Sequence, residues 1–118
     1  MKISTITELL NAKIICGEEF SDKNVYSACG SDMMSDVLAY VKDQAVLLTG
    51  LVNAQVIRTA MMMDMVCVVF VRNKQPTDEM IELARDHGIV LITSQKRMYE
   101  ACGILYNAGL TGNGDKNE

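Results

Sequence analysis

The sequence predicts an α/β protein of three layers, α/β/α, in which a mostly parallel sheet of about five strands lies between helices. Three times along the chain, a short run of β-branched and other apolar residues is followed by a loop and then by apolar residues at helical spacing. This alternation is typical of parallel strands that are joined by helices. The 118 residues suit a single domain, and 49% hydrophobic with 22% charged residues is the composition of a folded chain.

The first repeat unit combines a strand over Ala45–Leu48 with a helix over Asn53–Met63. A break at Thr49-Gly50 separates the two segments. Val56, Ile57, Ala60 and Met63 recur at helical spacing. Asn53 precedes this apolar pattern, and asparagine is among the preferred N-cap residues, so we expect its side chain to cap the helix.

The second unit begins with Met65–Val71, which is almost continuously apolar and is therefore predicted to be the central strand, buried on both faces. Thr77 is the expected cap of the following helix, and Gly88 is expected to end it in a left-handed conformation. The third unit has a strand over Ile89–Ile92, after which Thr93-Ser94 is predicted to cap the last helix.

The first forty residues are less regular, but they contain two further strand-like and two further helix-like segments. We predict a helix over Ile3–Leu10, strands over Lys13–Cys16 and Val25–Cys29, and a helix over Met33–Val41 capped by Ser31 or Ser35. The domain is expected to span residues 1–110. The polar, glycine-containing segment 111–118 is expected to be a disordered tail.

Composition excludes several classes of function. The net charge of -4 and the absence of a basic run argue against nucleic acid as a partner. The apolar runs are far shorter than the roughly 20 residues needed to cross a bilayer, and no secretory signal is recognisable, so we expect no membrane association and a cytoplasmic location. Four scattered cysteines and one histidine predict neither a metal site nor a cofactor.

The sequence contains none of the familiar catalytic or phosphate-binding motifs. A GxxxxGK[ST] loop, a GxGxxG motif and a GxSxG elbow are all missing. The one histidine, His87, falls in the last turn of a predicted helix, which is a common structural position for this residue. We therefore assign no catalytic residue and favour a protein that is not an enzyme.

Polar and basic residues follow the three repeat strands where each of them ends. The carboxyl ends of parallel strands meet at one edge of a sheet, which is where open α/β sheets bind ligands. Helix N-termini and cations at this edge would suit a small anion such as a phosphate, whereas ordinary helix caps and solvated cations are the alternative. The expected ligand-binding residues are Thr49, Gly50, Asn53, Arg72, Asn73, Lys74, Thr93, Ser94, Lys96 and Arg97.

Methionines cluster at the end of the first repeat helix. Three consecutive helical positions cannot all face one core, so at least one side chain of the run Met61–Met63 is expected to face solvent or a partner. We predict a homo-oligomer, with a dimer favoured, whose interface includes Met61, Met62 and Met65. A poorly packed surface and a contact with another protein are the alternatives.

Three segments of the sequence resemble the DRTGG domain: Ala28–Leu38, Val46–Gly50 and Gly88–Thr93. Such domains occur in CBS-containing pyrophosphatases and phosphate acetyltransferases, and are similar to the N-terminal domain of HPr kinase/phosphorylase. The resemblance, over roughly Ile3 to Leu110, implies a stand-alone regulatory or ligand-sensing domain. It also implies dimer contacts, because related domains contribute to them.

The chain departs from the family pattern at the predicted ligand edge. Gly50-Leu51-Val52 stands where the family typically has Gly-Asp-Arg, and Val71-Arg72-Asn73 where it typically has Thr-Gly-Gly. Lys96-Arg97 replaces the usual Asp-Thr before the last helix. The ligand chemistry that those family residues support therefore does not carry over unchanged.

Three hypotheses of function follow. The leading one is a non-catalytic regulatory or ligand-sensing module that forms a homo-oligomer and binds a small phosphate-containing or other anionic ligand at the strand ends. The second is a small phosphate-related enzyme that neutralises its substrate with Arg72, Lys74, Lys96 and Arg97, although no positioned base is recognisable. The third is a structural domain that binds a protein partner and no ligand.

Overall fold

The computed structural model describes residues 1–41 and 44–112. Helices and strands alternate along most of this length. The strands are β1 (Lys13–Cys16), β2 (Ser27–Gly30), β3 (Ala45–Thr49), β4 (Cys67–Phe70) and β5 (Val90–Thr93). The helices are α1 (Ile3–Leu9), α2 (Met34–Tyr40), α3 (Ala54–Met62), α4 (Asp78–Asp86) and α5 (Met98–Asn107), with a 3₁₀ turn over Glu18–Phe20.

Within the described residues, the strands form one five-stranded sheet in the order β1-β5-β4-β3-β2. The pairs from β2 to β5 are parallel, and β1 pairs antiparallel with β5. The prediction of an α/β fold with a mostly parallel sheet of about five strands is confirmed. The strand predicted over Val25–Cys29 begins two residues later and ends one residue later, and the backbone N–H of Val25 donates to Met1 O (2.7 Å) instead of joining the sheet.

Successive side chains of the central strands point to opposite faces of the sheet, and both faces are covered by helices. Leu47, Val68 and Leu91 pack in one apolar cluster with residues of α2, α3 and α4. Val69 and Ile92 pack in a second cluster with residues of α1 and α5. All residues of β3, β4 and β5 are buried, which explains why these strands read as continuous apolar runs. Helices on both faces confirm the three-layer prediction.

Three of the predicted helix-terminal residues are confirmed. The side chain of Asn53 accepts a hydrogen bond from Val56 N (3.3 Å) and that of Thr77 accepts one from Met80 N (3.3 Å). Gly88 follows α4 with φ of +68°, the left-handed conformation that favours glycine. These local signals place the starts of α3 and α4 at the loops that follow β3 and β4.

Two predicted helix caps are wrong. The residue before α2 is Met33, and Ser31 Oγ accepts from Met33 N (2.9 Å) in a turn that precedes the helix, so neither Ser31 nor Ser35 is the cap. The helix α5 begins only at Met98, too far along the chain for Thr93 or Ser94 to reach its first turn. The hydroxyl groups of those two residues bind other loops, as described below.

The chain beyond α5 returns to the edge of the sheet. Ala28 N, on the outer strand β2, donates a hydrogen bond to Thr111 O (2.9 Å). The rest of the predicted polar tail, from residue 113 onward, lies outside the described residues. No helix in the described ranges is long and apolar enough to span a membrane.

Candidate functional site

The connections after β4 and β5 diverge at the carboxyl edge of the sheet. The helix α4 contributes to the cluster on one face, whereas α5 contributes to the cluster on the other. Ligands of open α/β sheets bind in the crevice that such a divergence leaves. The two loops are held together there, because Arg72 N donates to Lys96 O (2.8 Å) and Asn73 N donates to Ser94 O (2.8 Å).

The loop after β4 contains an unusual turn. Arg72 and Asn73 both have φ of +57°, and Lys74 N closes the turn on Val71 O (3.1 Å). Asparagine tolerates the left-handed region, but it is uncommon for arginine. Two consecutive left-handed residues are the conformation that two glycines would adopt readily, and glycines are what the DRTGG resemblance leads one to expect here. The strained backbone carries the arginine side chain across the strand ends toward the loop after β3.

The guanidinium group of Arg72 lies against Gly50. A β-carbon on Gly50 would meet Arg72 Nη2, so the missing side chain of this glycine leaves the space that the guanidinium occupies. A glycine is therefore needed at position 50 because the Arg72 side chain approaches the backbone closely there. It brings the loops after β3 and β4 into contact at the carboxyl edge.

Asp32 ties the loop after β2 to the same place. Its Oδ1 accepts hydrogen bonds from Gly50 N (2.7 Å) and from Thr49 Oγ1 (2.9 Å). The Gly50 N–H holds the pKa of Asp32 below its usual range; the Thr49 hydroxyl and the charge of Arg72 act in the same direction, against a partial opposing effect of burial. Asp32 is therefore a carboxylate at neutral pH, and it fixes the loops after β2 and β3 relative to one another.

These loops and the start of α5 line an open cleft of about 420 Å³. Its volume falls within the range of about 300–1,000 Å³ that is common for small-molecule sites. Arg97 is the N-cap residue of α5, and among the described residues no side chain caps that helix. The cleft thus combines guanidinium groups, one carboxylate and a helix N-terminus. Its lining residues are Gly30, Ser31, Asp32, Val71, Arg72, Arg97, Met98 and Tyr99.

Several of the predicted ligand residues have structural hydrogen bonds instead. Thr49, Thr93 and Ser94 are buried. Thr93 Oγ1 donates to Lys74 O (2.8 Å), and Ser94 Oγ donates to Leu10 O (2.9 Å). Thr49 binds Asp32, and the side chain of Asn53 caps α3. These side chains hold the loops at the carboxyl edge in place through hydrogen bonds within the protein.

The predicted cations are divided between different parts of the edge. Arg72 and Arg97 line the cleft described above. Lys96 lines a separate cavity of about 300 Å³, where its Nζ lies 3.9 Å from the carboxylate of Glu100. Lys74 is exposed, and its backbone carbonyl is bound by Thr93. The charge at the cleft therefore comes from the two arginines.

Asp32 and Tyr99 belong to the cleft but were not among the predicted site residues. Asp32 lies two residues beyond β2, and the parallel register pairs Gly30 with Leu48, which brings Asp32 level with the start of the next loop. A prediction that followed the carboxyl end of β2 as well as those of the repeat strands would have found it. Tyr99 carries no comparable signal, because its place depends on where α5 begins.

The methionines lie at the other end of α3. Met62 is 68% exposed, Met61 is partly buried against the core, and Met65 is 3% exposed. Met61 and Met65 also line a cavity of about 250 Å³ with Lys23 and His87. Of the three residues predicted for an interface, Met62 is the one that presents its side chain to solvent.

The cysteines are free thiols that pack in or beside the two apolar clusters. Burial raises the pKa of the Cys67 thiol far above its usual value, and burial also raises the pKa of Cys29 and Cys102. Over residues 1–41 and 44–112, no group of three or more histidine, cysteine or acidic side chains is placed to hold a metal ion.

The fold and the cleft define a small α/β domain with an arginine-lined carboxyl edge. A family model for the DRTGG domain matches residues 5–108, and the chain belongs to the DRTGG domain family. The family resemblance inferred from the sequence is confirmed. No curated protein matches the chain significantly.

The chain also resembles a solved structure, that of the CBS and DRTGG domains of the regulatory region of Clostridium perfringens pyrophosphatase complexed with the activator diadenosine tetraphosphate. The TM-score is 0.70 at 17% sequence identity, and the match covers 95% of this chain and 51% of that one. The present chain therefore spans about half the length of that structure. At this identity, the likeness concerns the fold.

Proposed function

We propose that this chain is a regulatory, ligand-sensing module without catalytic machinery of its own, and that it binds a small phosphate-containing or other anionic ligand at the carboxyl ends of its strands. The observation that carries the proposal is the cleft in which Arg72 and Arg97 meet beside the start of α5. Guanidinium groups match the geometry of phosphate and carboxylate oxygens. The uncapped N-terminus of a helix adds N–H donors and a favourable dipole.

The relative of known structure supports the same proposal. It is a regulatory region that contains a DRTGG domain and was obtained with a nucleotide activator. The proposed setting is the cytosol, in which thiols such as those of this chain remain reduced.

Isothermal titration calorimetry with inorganic phosphate and pyrophosphate tests the proposed anion site. We expect the wild-type chain to bind, and Arg72→Ala and Arg97→Ala each to weaken binding by tenfold or more, the order of effect expected for a charge-assisted hydrogen bond. Arg58→Ala is the matched control, since Arg58 is an exposed arginine within α3 and lines none of the described clefts. Arg72→Ala and Arg97→Ala variants that bind as tightly as the wild type and Arg58→Ala would contradict the assignment of the site.

We further propose that the module is a homo-oligomer, with a dimer favoured, and that Met62 lies in the interface. An exposed methionine beside the half-buried Met61 is an adaptable apolar contact surface. Light scattering at several protein concentrations checks the mass. We expect Met62→Lys to dissociate the oligomer, whereas Leu9→Lys, at a 37% exposed position of α1, should leave it intact. A monomer mass at high concentration would rule the oligomer out.

A further inference from the structure

We propose that the ligand of the cleft is a nucleoside phosphate. This inference rests on the proposed function and adds the chemical class of the ligand. Arg72 and Arg97 would hold the phosphate, Tyr99 would stack on the base, and Asp32 would accept a hydrogen bond from a sugar hydroxyl. All four residues line the same cleft.

The ring of Tyr99 is the first observation that supports a base. It is 93% exposed, the most exposed large apolar residue of those that the structure describes, and it lies two positions after Arg97 at the start of α5. An aromatic face left uncovered beside phosphate-binding groups is the arrangement by which proteins stack nucleobases. Met98 lines the same cleft, so a soft apolar contact is also available.

The carboxylate of Asp32 is the second observation. Its hydrogen bonds with Thr49 Oγ1 and Gly50 N fall on Oδ1, and the Leu51 N–H also helps to lower its pKa. Asp32 is exposed and lines the cleft, so its carboxylate is accessible to a ligand as an acceptor. A bare phosphate offers oxygens that this carboxylate would repel, whereas a ribose offers hydroxyl donors. An acidic residue near a strand end accepts a ribose hydroxyl in the dinucleotide-binding folds too, for the same chemical reason.

The charges of the cleft fit such a ligand. Arg72 and Arg97 outnumber the single carboxylate of Asp32, so the cleft is electropositive on a chain of net charge -4. The lowered pKa of Asp32 keeps that group an acceptor at neutral pH. A ligand that is anionic at one end and carries hydroxyl groups and a planar ring at the other matches the two arginines, the carboxylate of Asp32 and the ring of Tyr99.

Calorimetric titration of the full chain with adenosine diphosphate, ribose 5-phosphate and inorganic pyrophosphate tests the inference. We expect adenosine diphosphate to bind more tightly than the other two probes. Tyr99→Ala should weaken its binding by about tenfold or more, the effect of losing one base-aromatic stack, and leave pyrophosphate affinity unchanged. Tyr99→Phe should bind as the wild type does. Tyr106→Ala is the matched control, because Tyr106 is 68% exposed near the other end of the same helix.

The outcomes separate this inference from the proposed function. Pyrophosphate that binds as tightly as adenosine diphosphate, together with no effect of Tyr99→Ala, would overturn the nucleoside assignment and leave the anion site standing. Failure of every probe to bind the wild type would overturn both. A change of oligomer mass in Tyr99→Ala with unchanged nucleotide affinity would assign the ring to a subunit interface and also overturn the inference.

Discussion

The guanidinium group of Arg72 fills the space beside Gly50 that a β-carbon on that glycine would occupy. The two residues come from different loops and are brought together by the parallel pairing of β3 with β4. By resemblance to the family, an arginine would be expected at position 52, where this chain has valine. Arg72, in the next loop, brings a cation to the same edge, and the left-handed turn at its backbone is what aims it there.

Gly50→Ala is predicted to weaken anion binding while leaving the fold intact. The new methyl group would meet the far end of the Arg72 side chain, which is flexible and can move away. We expect at least a several-fold loss of affinity in calorimetry and a change in unfolding free energy of less than about 1 kcal/mol. Gly103→Ala is the control, because no atom lies within 4 Å of the added methyl. It should keep full affinity and stabilise α5 by about 0.5–1 kcal/mol. Equal affinities for the two variants would contradict the role of Arg72.

Arg72→Gly is predicted to weaken anion binding by tenfold or more without loss of stability. Arginine at φ of +57° is strained, by an amount on the order of 1 kcal/mol, and glycine adopts this conformation without that strain. Denaturant unfolding should therefore show a midpoint at or above that of the wild type, while calorimetry shows an affinity at least tenfold lower. Arg72→Ala, which keeps the strain, should be the less stable of the two variants. A marked destabilisation by Arg72→Gly would mean that the side chain itself supports the fold.

Asp32→Ala is predicted to loosen the loops after β2 and β3. The substitution removes the acceptor of the Thr49 hydroxyl and the Gly50 N–H. Hydrogen bonds to charged groups contribute about 1.5–3 kcal/mol, and Asp32 is exposed, so we expect a loss of about 1 kcal/mol in urea unfolding. Asp22→Ala, at an exposed loop position, should change stability by less than about 0.5 kcal/mol. If the two variants unfold alike, the hydrogen bonds of Asp32 do not stabilise the fold.

The contribution of Asp32 to the free energy of unfolding should decrease as the pH is lowered. Its pKa is lower in the folded chain than the value of about 3.9 in unfolded chains, so the unfolded state binds the proton more readily. The contribution is present above pH 4 and is lost as the pH falls through the folded pKa. The difference in unfolding free energy between the wild type and Asp32→Asn should thus shrink below about pH 4. A difference that stays constant from pH 6 to pH 3 would contradict this assignment.

Ser94→Ala is predicted to reduce stability and to leave ligand affinity unchanged. Ser94 is 2% exposed; its hydroxyl donates to Leu10 O (2.9 Å) and accepts from Lys96 N (3.2 Å). Leaving a buried carbonyl group without its partner costs about 1–3 kcal/mol. Thermal unfolding and calorimetry measure the two quantities. A loss of affinity at unchanged stability would return Ser94 to the ligand site.

Patterns within single segments were enough to predict the layers of this protein. The continuous apolar character of Val66–Val71 arises from burial on both faces of the sheet, and this character is a property of the segment itself. Asn53 and Thr77 are helix caps whose hydrogen-bond partners lie three residues away, so their capping role can also be predicted from the sequence. The cap prediction failed for Ser94, because α5 begins only at Met98, and the Ser94 hydroxyl instead donates to Leu10 O, 84 positions away in the sequence.

The sequence by itself determined that this chain is an α/β domain of the DRTGG family and that its polar loops gather at one edge of the sheet. Only the tertiary structure decided which of those loop residues share a cleft. Arg72, Arg97, Asp32 and Tyr99 are brought together by strand order and by a left-handed turn. Lys96 is turned toward Glu100 in another cavity, although it precedes Arg97 directly. Residue type specifies the available charge, whereas side-chain direction depends on the local backbone and on contacts between distant segments.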